Sequence, residues 1–376
     1  MPKLNVDNIS NYAGNGGPVV VGVTTISATG HIQVPNGTEA QRVGTESGSL
    51  RFNTDENILE FYDGTEWLGI FGSLERAATV NARGVFGNVD AAADYTGRME
   101  YITITSSGDS QFFGDLTVAR HQLGACASST RGVFGGGDGP SVTGDEIDFV
   151  TIATTGIVLD FGDLTVAREY LTGLSNATRG IFGGGFTTPT NLNVIDFITI
   201  ASESNATDFG DLTVARQRLS SCASPTRGIF AGNNQVPSTN ARTVNYMTFS
   251  SVGDGVDFGN LTTSKEQFNG CSNSIRGVFG GGETPTVTNV MEYITIATSG
   301  DGIDFGDLVE ARSNAGSTSN STRGVFMGGH IGVSVESLIV DFIEIATTGN
   351  AIDYGSLGWG NRQDRTSTSN SHGGLI

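Results

Sequence analysis

Four acids, Asp115, Asp163, Asp211 and Asp307, each follow a Phe-Gly pair, and four bases, Arg120, Arg168, Arg216 and Arg312, stand five residues further on. One acid and one base at that spacing could form a proton-transfer dyad. Recurring along the chain, they read instead as a structural turn and as ion pairs between successive units. The four histidines, His31, His121, His330 and His372, lie in distant segments, so no clustered imidazole set for a transition metal is expected. Cys126, Cys222 and Cys271 each stand five residues before an Arg-Gly pair. Equivalent positions in separate units are held apart, so these read as small buried thiols and not as disulfides or metal ligands. No Gly-Lys-Ser/Thr phosphate loop occurs. Acidic turns such as Ser299–Gly302 offer oxygens but lack the carboxylate spacing of a dedicated calcium site. The expectation is no catalytic residue, no metal, no cofactor, and a chain that is not an enzyme.

What positions these residues is a repeat. Arg-Gly-Val/Ile-Phe opens a unit at Arg83, Arg131, Arg179, Arg227, Arg276 and Arg323, at spacings of 48, 48, 48, 49 and 47 residues. Self-similarity at that period marks units that cannot bury their apolar faces alone and must stack. In the copy from Arg179, three runs are short, rich in β-branched and aromatic residues and bounded by Gly, Asn or Ser, which predicts strands. Ile195 and Phe197 on one face of a run, with Ile198 and Ile200 on the other, predict a strand covered on both sides. The fourth run, Ser220–Ser224, has only small side chains, as fits a crowded place where strands from every unit converge. No window shows a 3.6-residue apolar period, so helix is not expected. Four strands graded from small to bulky describe a propeller blade. Arg131, Arg179 and Arg227 of the Arg-Gly pairs, with Asp163, Asp211, Arg168 and Arg216, are assigned to architecture.

Composition bounds the rest. The 376 residues include 55 glycines, 39 acidic groups and 20 basic ones, for a formal charge of -19. Nucleic acid is a poor partner for such a surface. No run of 18 apolar residues occurs, and the opening residues lack the basic-then-apolar layout of a secretory signal, so no membrane insertion is expected.

The residues of the unit resemble the kelch repeat. The small strand Ser220–Ser224, Ile229-Phe230, Phe197, Phe209, Arg216 and the glycine pairs Gly136-Gly137, Gly184-Gly185 and Gly281-Gly282 carry the likeness. Two departures stand: Phe or Tyr where kelch usually has Trp, and Asn233-Asn234 interrupting one glycine run. The fold expected is an all-β, kelch-like β-propeller over 51–376, of seven blades closed by both chain ends, with six as the alternative. Asn370–Ile376 aligns with Asn320–Phe326, so the closing blade would combine 57–70 with 365–376, the former as a hairpin about an Asp63-Gly64 type I′ turn. Closure by both ends would leave no open sheet edge.

Residues 1–50 stand outside the repeat, with strand-like runs at Val19–Ile26 and His31–Val34, and read as a short β-rich attachment or oligomerisation arm. The segment from Gly48, with Leu50-Arg-Phe-Asn53 and Tyr62-Asp-Gly-Thr-Glu-Trp67, resembles one that recurs in bacteriophage tail-fibre and other virion proteins, especially of phages infecting marine cyanobacteria. The repeats are similar to those of cyanophage structural proteins. The resemblance implies a virion component, trimeric as tail fibres often are, bound to other virion proteins through the arm and facing a host-surface receptor. Its alternatives are a structural decoration or connector protein of the virion and a cellular kelch-type adaptor. Recognition is expected in the loops after the glycine runs, which differ between copies and would emerge on one face. Candidate binding residues there are Asp138, Ser141, Phe186, Thr188, Asn191, Asn233, Asn234, Gln235, Arg242, Glu283 and His330. Their Thr, Asn and Ser content suits hydrogen bonding to glycan or protein backbone.

Overall fold

The computed structural model describes residues 34–42, 47–55, 58–70, 82–89, 96–139, 143–232, 242–283, 285–332, 335–357 and 366–375. The expected arm strand at 19–26 lies outside them, as does the one at 31–34 except for Val34. The chain divides into two compact units, Met1–Gly72 and Ser73–Ile376, so residues 51–72 fall with the first unit and not with the repeats.

The first unit holds one four-stranded sheet, Asn36–Gly37, Leu50–Asn53, Ile58–Tyr62 and Trp67–Ile70 in that order. A unit this small buries little apolar surface, and a buried carboxylate stands at its centre. Glu60 meets Arg42 Nη2 at 2.8 Å and Arg51 Nε at 3.2 Å, and the Arg42 guanidinium holds its carboxyl below the usual range. The hairpin 58–70 forms, but its loop is four residues, with Tyr62 opposite Trp67. Asp63 Oδ1 accepts from the Thr65 and Glu66 N–H groups at 2.6 and 2.8 Å, which replaces the expected two-residue type I′ turn.

The second unit carries six four-stranded antiparallel sheets among the described residues. We number them in chain order. Sheet 1 combines Thr366–Ser369 with Arg83–Val89, Thr96–Thr103 and Gln111–Asp115. Sheet 2 is Gly124–Ala127, Arg131–Gly135, Glu146–Thr151 and Val158–Asp163, and sheet 3 is Thr172–Ser175, Arg179–Gly183, Val194–Thr199 and Thr207–Asp211. Sheet 4 is Ser220–Ala223, Arg227–Ala231, Thr243–Thr248 and Val256–Asn260, and sheet 5 is Asn269–Ser272, Arg276–Gly280, Val290–Thr295 and Ile303–Asp307. Sheet 6 is Gly316–Ser319, Arg323–Met327, Ile339–Glu344 and Ile352–Ser356.

The C-terminal strand corrects the expected closure. Thr366 pairs with Gly87 and Ser369 with Gly84, so 366–369 completes the sheet opened by Arg83, while 58–70 belongs to the first unit. The reason is side-chain size: Thr-Ser-Thr-Ser fills the small-residue place that the unit opening at Arg83 lacks, so the C-terminus completes that sheet and does not begin another with 57–70. The alignment of 370–376 with a second strand also fails, because the chain turns after Ser369.

The apolar core lies between sheets. Phe182 and Ile198 of sheet 3 pack with Phe149 and Phe161 of sheet 2, and Val85, Met99 and Phe113 of sheet 1 pack with Phe134 and Val150 of sheet 2. The same holds from sheet 3 to sheet 6. A further cluster joins Val325, Val340 and Tyr354 of sheet 6 to Phe86 and Ile102 of sheet 1. The first strands touch in the same circuit, sheet 2 to 3, 3 to 4, 4 to 5, 5 to 6, 6 to 1 and 1 to 2.

Candidate functional site

The Phe-Gly-Asp motif is a β-bulge. Ile195 pairs with Gly210 and Asp196 with Asp208, leaving Phe209 as the extra residue. The bulge turns Phe209 inward, edge-on to Phe197 at 5.9 Å, and Asp196, in mid-strand, is fully buried. That acid, and not the one after Phe-Gly, takes the base. Arg168 Nη1, on the connection from sheet 2 to sheet 3, meets Asp196 Oδ2 of sheet 3 at 3.0 Å. Arg120 meets Asp148 at 3.1 Å, Lys265 meets Glu292 at 2.9 Å, and Arg312 contacts Asp341. Ion pairs do link successive sheets, but Asp163 and Asp211 are not their partners. The backbone N–H groups of Asp163 and Asp211 instead donate to Asn205 and Asp254 of the next unit at 3.2 and 3.1 Å. Burial pushes the Asp148 and Asp341 carboxyls up in spite of their guanidinium partners, so these pairs are held by geometry against a desolvation cost. Arg216 differs, with Asn245 Oδ1 at 2.6 Å as its partner, and burial pulls it down to about 10.

The Arg-Gly arginines form a second relay. Arg131 Nη1 donates to Ile200 O at 3.1 Å, Arg227 to Ile296 O at 3.2 Å and Arg276 to Ile345 O at 3.1 Å, each into the following sheet. Arg83 reaches Ile152 O, Arg179 reaches Phe249 O, and Arg323 reaches back to Ile104 O in sheet 1 at 3.3 Å. Each guanidinium also covers the aromatic ring of its own third strand, Arg131 over Phe149 at 4.4 Å and Arg179 over Phe197 at 5.1 Å. The glycine that follows is needed for close approach: a Cβ at Gly180 would stand 2.5 Å from Cys126 Sγ. The three cysteines are buried free thiols.

The loops after the glycine runs fold back onto the neighbouring turn. Asp138 exchanges backbone hydrogen bonds with His121, Phe186 with Glu169, Glu283 with Glu266, and His330 with Ser313. Asn191 Oδ1 accepts from Gln217 Nε2 at 2.9 Å and Arg242 Nε donates to Leu261 O at 2.9 Å. Thr188 sits in the tip of the Phe186–Asn191 hairpin and is exposed. Ser141, Asn233, Asn234 and Gln235 lie outside the described residues. The loops therefore brace a set of turns, and those turns carry a site the sequence reading did not single out.

One residue beyond each braced position stand Gln122, Tyr170, Arg218, Gln267 and Asn314, with φ of 60, 53, 56, 56 and 52°. This left-handed conformation costs a side-chain-bearing residue about 1–2 kcal/mol. It serves the backbone: Tyr170 N–H donates to Gln122 O at 3.0 Å, Arg218 to Tyr170 O at 2.9 Å and Asn314 to Gln267 O at 2.8 Å. The five side chains line a cavity of about 150 Å³ at the N-terminal ends of the first strands. Arg218 stacks on Tyr170 at 4.3 Å. The signal in the sequence was a position of changing identity, Gln, Tyr, Arg, Gln, Asn, set between an otherwise repeated base and an apolar residue.

Beyond this cavity the first strands are joined by hydroxyls. Ser175 Oγ donates to Ala127 O at 2.7 Å, Ser272 Oγ to Ala223 O at 2.8 Å, Ser319 Oγ to Ser272 O at 2.9 Å and Ser369 Oγ to Ser319 O at 2.5 Å. Serine is short enough to sit there and satisfies a carbonyl of the adjoining sheet. Near the C-terminal ends of these strands His372 reaches sheets 2 and 3, its Nε2 3.1 Å from both Ser175 Oγ and Ala127 O. Among the described residues no three His, Cys, Asp or Glu side chains gather as metal ligands. No protein-family model matches this chain, and no curated protein matches its sequence.

Proposed function

We propose that Ser73–Ile376 is a six-bladed, kelch-like β-propeller, closed by the chain's own C-terminal strand, and that it serves as the recognition module of a virion, held by the N-terminal part. Six blades, rather than seven, are the reading supported by the circuit of sheet contacts, in which the Arg323 bond to Ile104 O joins the sixth sheet to the first. A closed ring leaves only short edges and little freedom, which suits binding by a preorganised surface and not a moving catalytic site. The observation that carries recognition is the ring of Gln122, Tyr170, Arg218, Gln267 and Asn314: one backbone geometry, different side chains, one shared cavity. The virion setting is supported by the resemblance of the segment from Gly48 to Trp67 to phage tail-fibre sequence, as are assembly into a trimer and attachment to other virion proteins. The receptor class favoured by the amide-rich loops and cavity is a host-surface glycan.

Labelled full chain incubated with a panel of marine cyanobacterial strains tests the reading. Saturable adsorption to some strains, lost when surface polysaccharide is stripped, is the expected result. Absence of adsorption to every strain would leave a structural virion protein in its place. Light scattering of the purified chain checks the trimer.

A further inference from the structure

We propose that the ring cavity binds one acidic pyranose, a hexuronate, free or as the terminal residue of a glycan; the proposal rests on reading this unit as a recognition module. Size comes first. A cavity of about 150 Å³ that opens to solvent holds part of one pyranose, which is larger than the benzene that engineered cavities of that volume admit, and the rest of the sugar then lies at the mouth.

Polarity selects among such rings. Arg218 is the one charged residue lining the cavity among the described residues, in a chain of formal charge -19. Stacking on Tyr170 at 4.3 Å fixes its guanidinium plane and leaves the edge to act as a fork toward an anion. Arg218 Nε is buried and has no hydrogen-bond partner among the described residues, and the same is true of Asn269 Oδ1. The first needs an acceptor and the second a donor. Both atoms are closed to solvent, so a ligand meets these side chains at the outer guanidinium nitrogens of Arg218 and at the amide of Asn269: a hexuronate brings a carboxylate to the first and hydroxyls to the second, whereas a neutral hexose supplies no charge for Arg218 and sulfate no hydroxyl for Asn269. Gln122, Gln267 and Asn314 add amides, which both donate and accept, as a polyhydroxylated ring requires. Glu266, the acid coupled to Arg218 through space, does not line the cavity.

The conformational argument points the same way. Glycine at these five left-handed positions would keep the backbone bonds at no steric cost, yet four of the five carry Gln, Tyr or Arg. Their retention at strained positions is explained by what the side chains present to the cavity.

The test is calorimetric titration of the full chain with glucuronate and galacturonate, against glucose, galactose and sulfate, and with a glucuronate-terminated disaccharide. Hexuronates are expected to bind at least about tenfold more tightly than neutral hexoses, and Arg218→Gln to abolish that preference with an unchanged melting temperature. If Arg218→Gln does not fold, Asn269→Ala is expected to weaken hexuronate binding in a folded chain. Tighter binding of the disaccharide identifies a glycan terminus as the source, and equal binding identifies the free acid. Neutral hexoses binding as well as hexuronates, sulfate binding as well as either, or no binding at millimolar sugar would overturn the proposal. Cell adsorption separates the two readings: a full chain that adsorbs yet binds no hexuronate overturns this site and leaves the recognition module standing, whereas a full chain that binds hexuronate yet adsorbs to no strain does the reverse.

Discussion

The backbone N–H of Arg83 donates to Asn370 Oδ1 at 2.9 Å across 287 residues of chain. Elsewhere the same bond closes a turn of three residues: Arg323 N–H to Asn320 Oδ1 at 2.6 Å and Arg276 N–H to Asn273 Oδ1 at 2.7 Å. The two ends of the second unit are thus joined as if by an uninterrupted turn. A local capping interaction has become the longest-range one in the unit, and its local character elsewhere supplies an internal standard for what closure contributes.

Asn370→Ala is expected to lose about 1 kcal/mol, the ordinary net worth of such a hydrogen bond, and Asn320→Ala a similar amount. Truncation after residue 365 should do far more, since it removes the first strand of sheet 1 and exposes an edge. Thermal unfolding checks all three. Equal melting temperatures for the truncated and full chains would sink the account of closure.

The buried pairs offer a sharper contrast. Asp196→Ala leaves Arg168 charged and unpaired where no water reaches, and should destabilise by about 3–5 kcal/mol. Asn245→Asp should act in the opposite sense, by giving Arg216 the carboxylate that the bases of four other sheets already have. The measurement is chemical denaturation of both variants; a destabilising Asn245→Asp would show that desolvation of the new charge outweighs the pair.

The sheet content, the converging small strand, the buried thiols and the architectural use of the arginines could be read from the sequence, because all four rest on patterns that recur at equivalent positions of several copies. Asp196 was hidden because it stands on the face of Ile198 and Ile200, which the pattern marks only as covered, and its partner Arg168 lies outside its own pair of strands and leaves no local trace. The partner of Thr366–Ser369 was hidden because pairing across the chain ends leaves no local trace; a hairpin at 58–70 looked available, and nothing in its own pattern revealed that its sheet was already complete. Tyr170 and Arg218 were hidden differently. A position that changes in each copy looks like drift until the fold brings five such positions around one cavity.

His372 sets a pH dependence. Burial pushes its imidazole down to about 4 from an ordinary 6.5, although the Ala127 carbonyl favours the charged form. The folded state then binds fewer protons than the unfolded one between these values. The contribution to stability is present above 6.5 and is lost as pH falls toward about 4. His372→Gln should flatten this part of the melting profile while changing little at neutral pH, and an unchanged acid slope in the variant would count against the reach of the C-terminal turn to sheets 2 and 3.

Thiol chemistry reports on the ring as a whole. Burial pushes the Cys271 thiol up to about 12 and raises Cys126 and Cys222 as well, so at neutral pH almost no thiolate is present to react. Cys126 Sγ and Cys271 Sγ also lie against Gly180 and Gly324 of the next sheet, where an added Cβ would stand 2.5 Å away in each case, so no reagent can enter without parting two sheets. Labelling of the native chain with an aromatic disulfide should therefore proceed at the rate of unfolding, for all three cysteines together, and should not saturate faster with more reagent. Gly180→Ala would force sheets 2 and 3 apart at Cys126 and should accelerate labelling there ahead of Cys271. Fast, independent reaction of one thiol in the unmodified chain would mean that its pair of sheets opens alone, and that the circuit is not the cooperative unit.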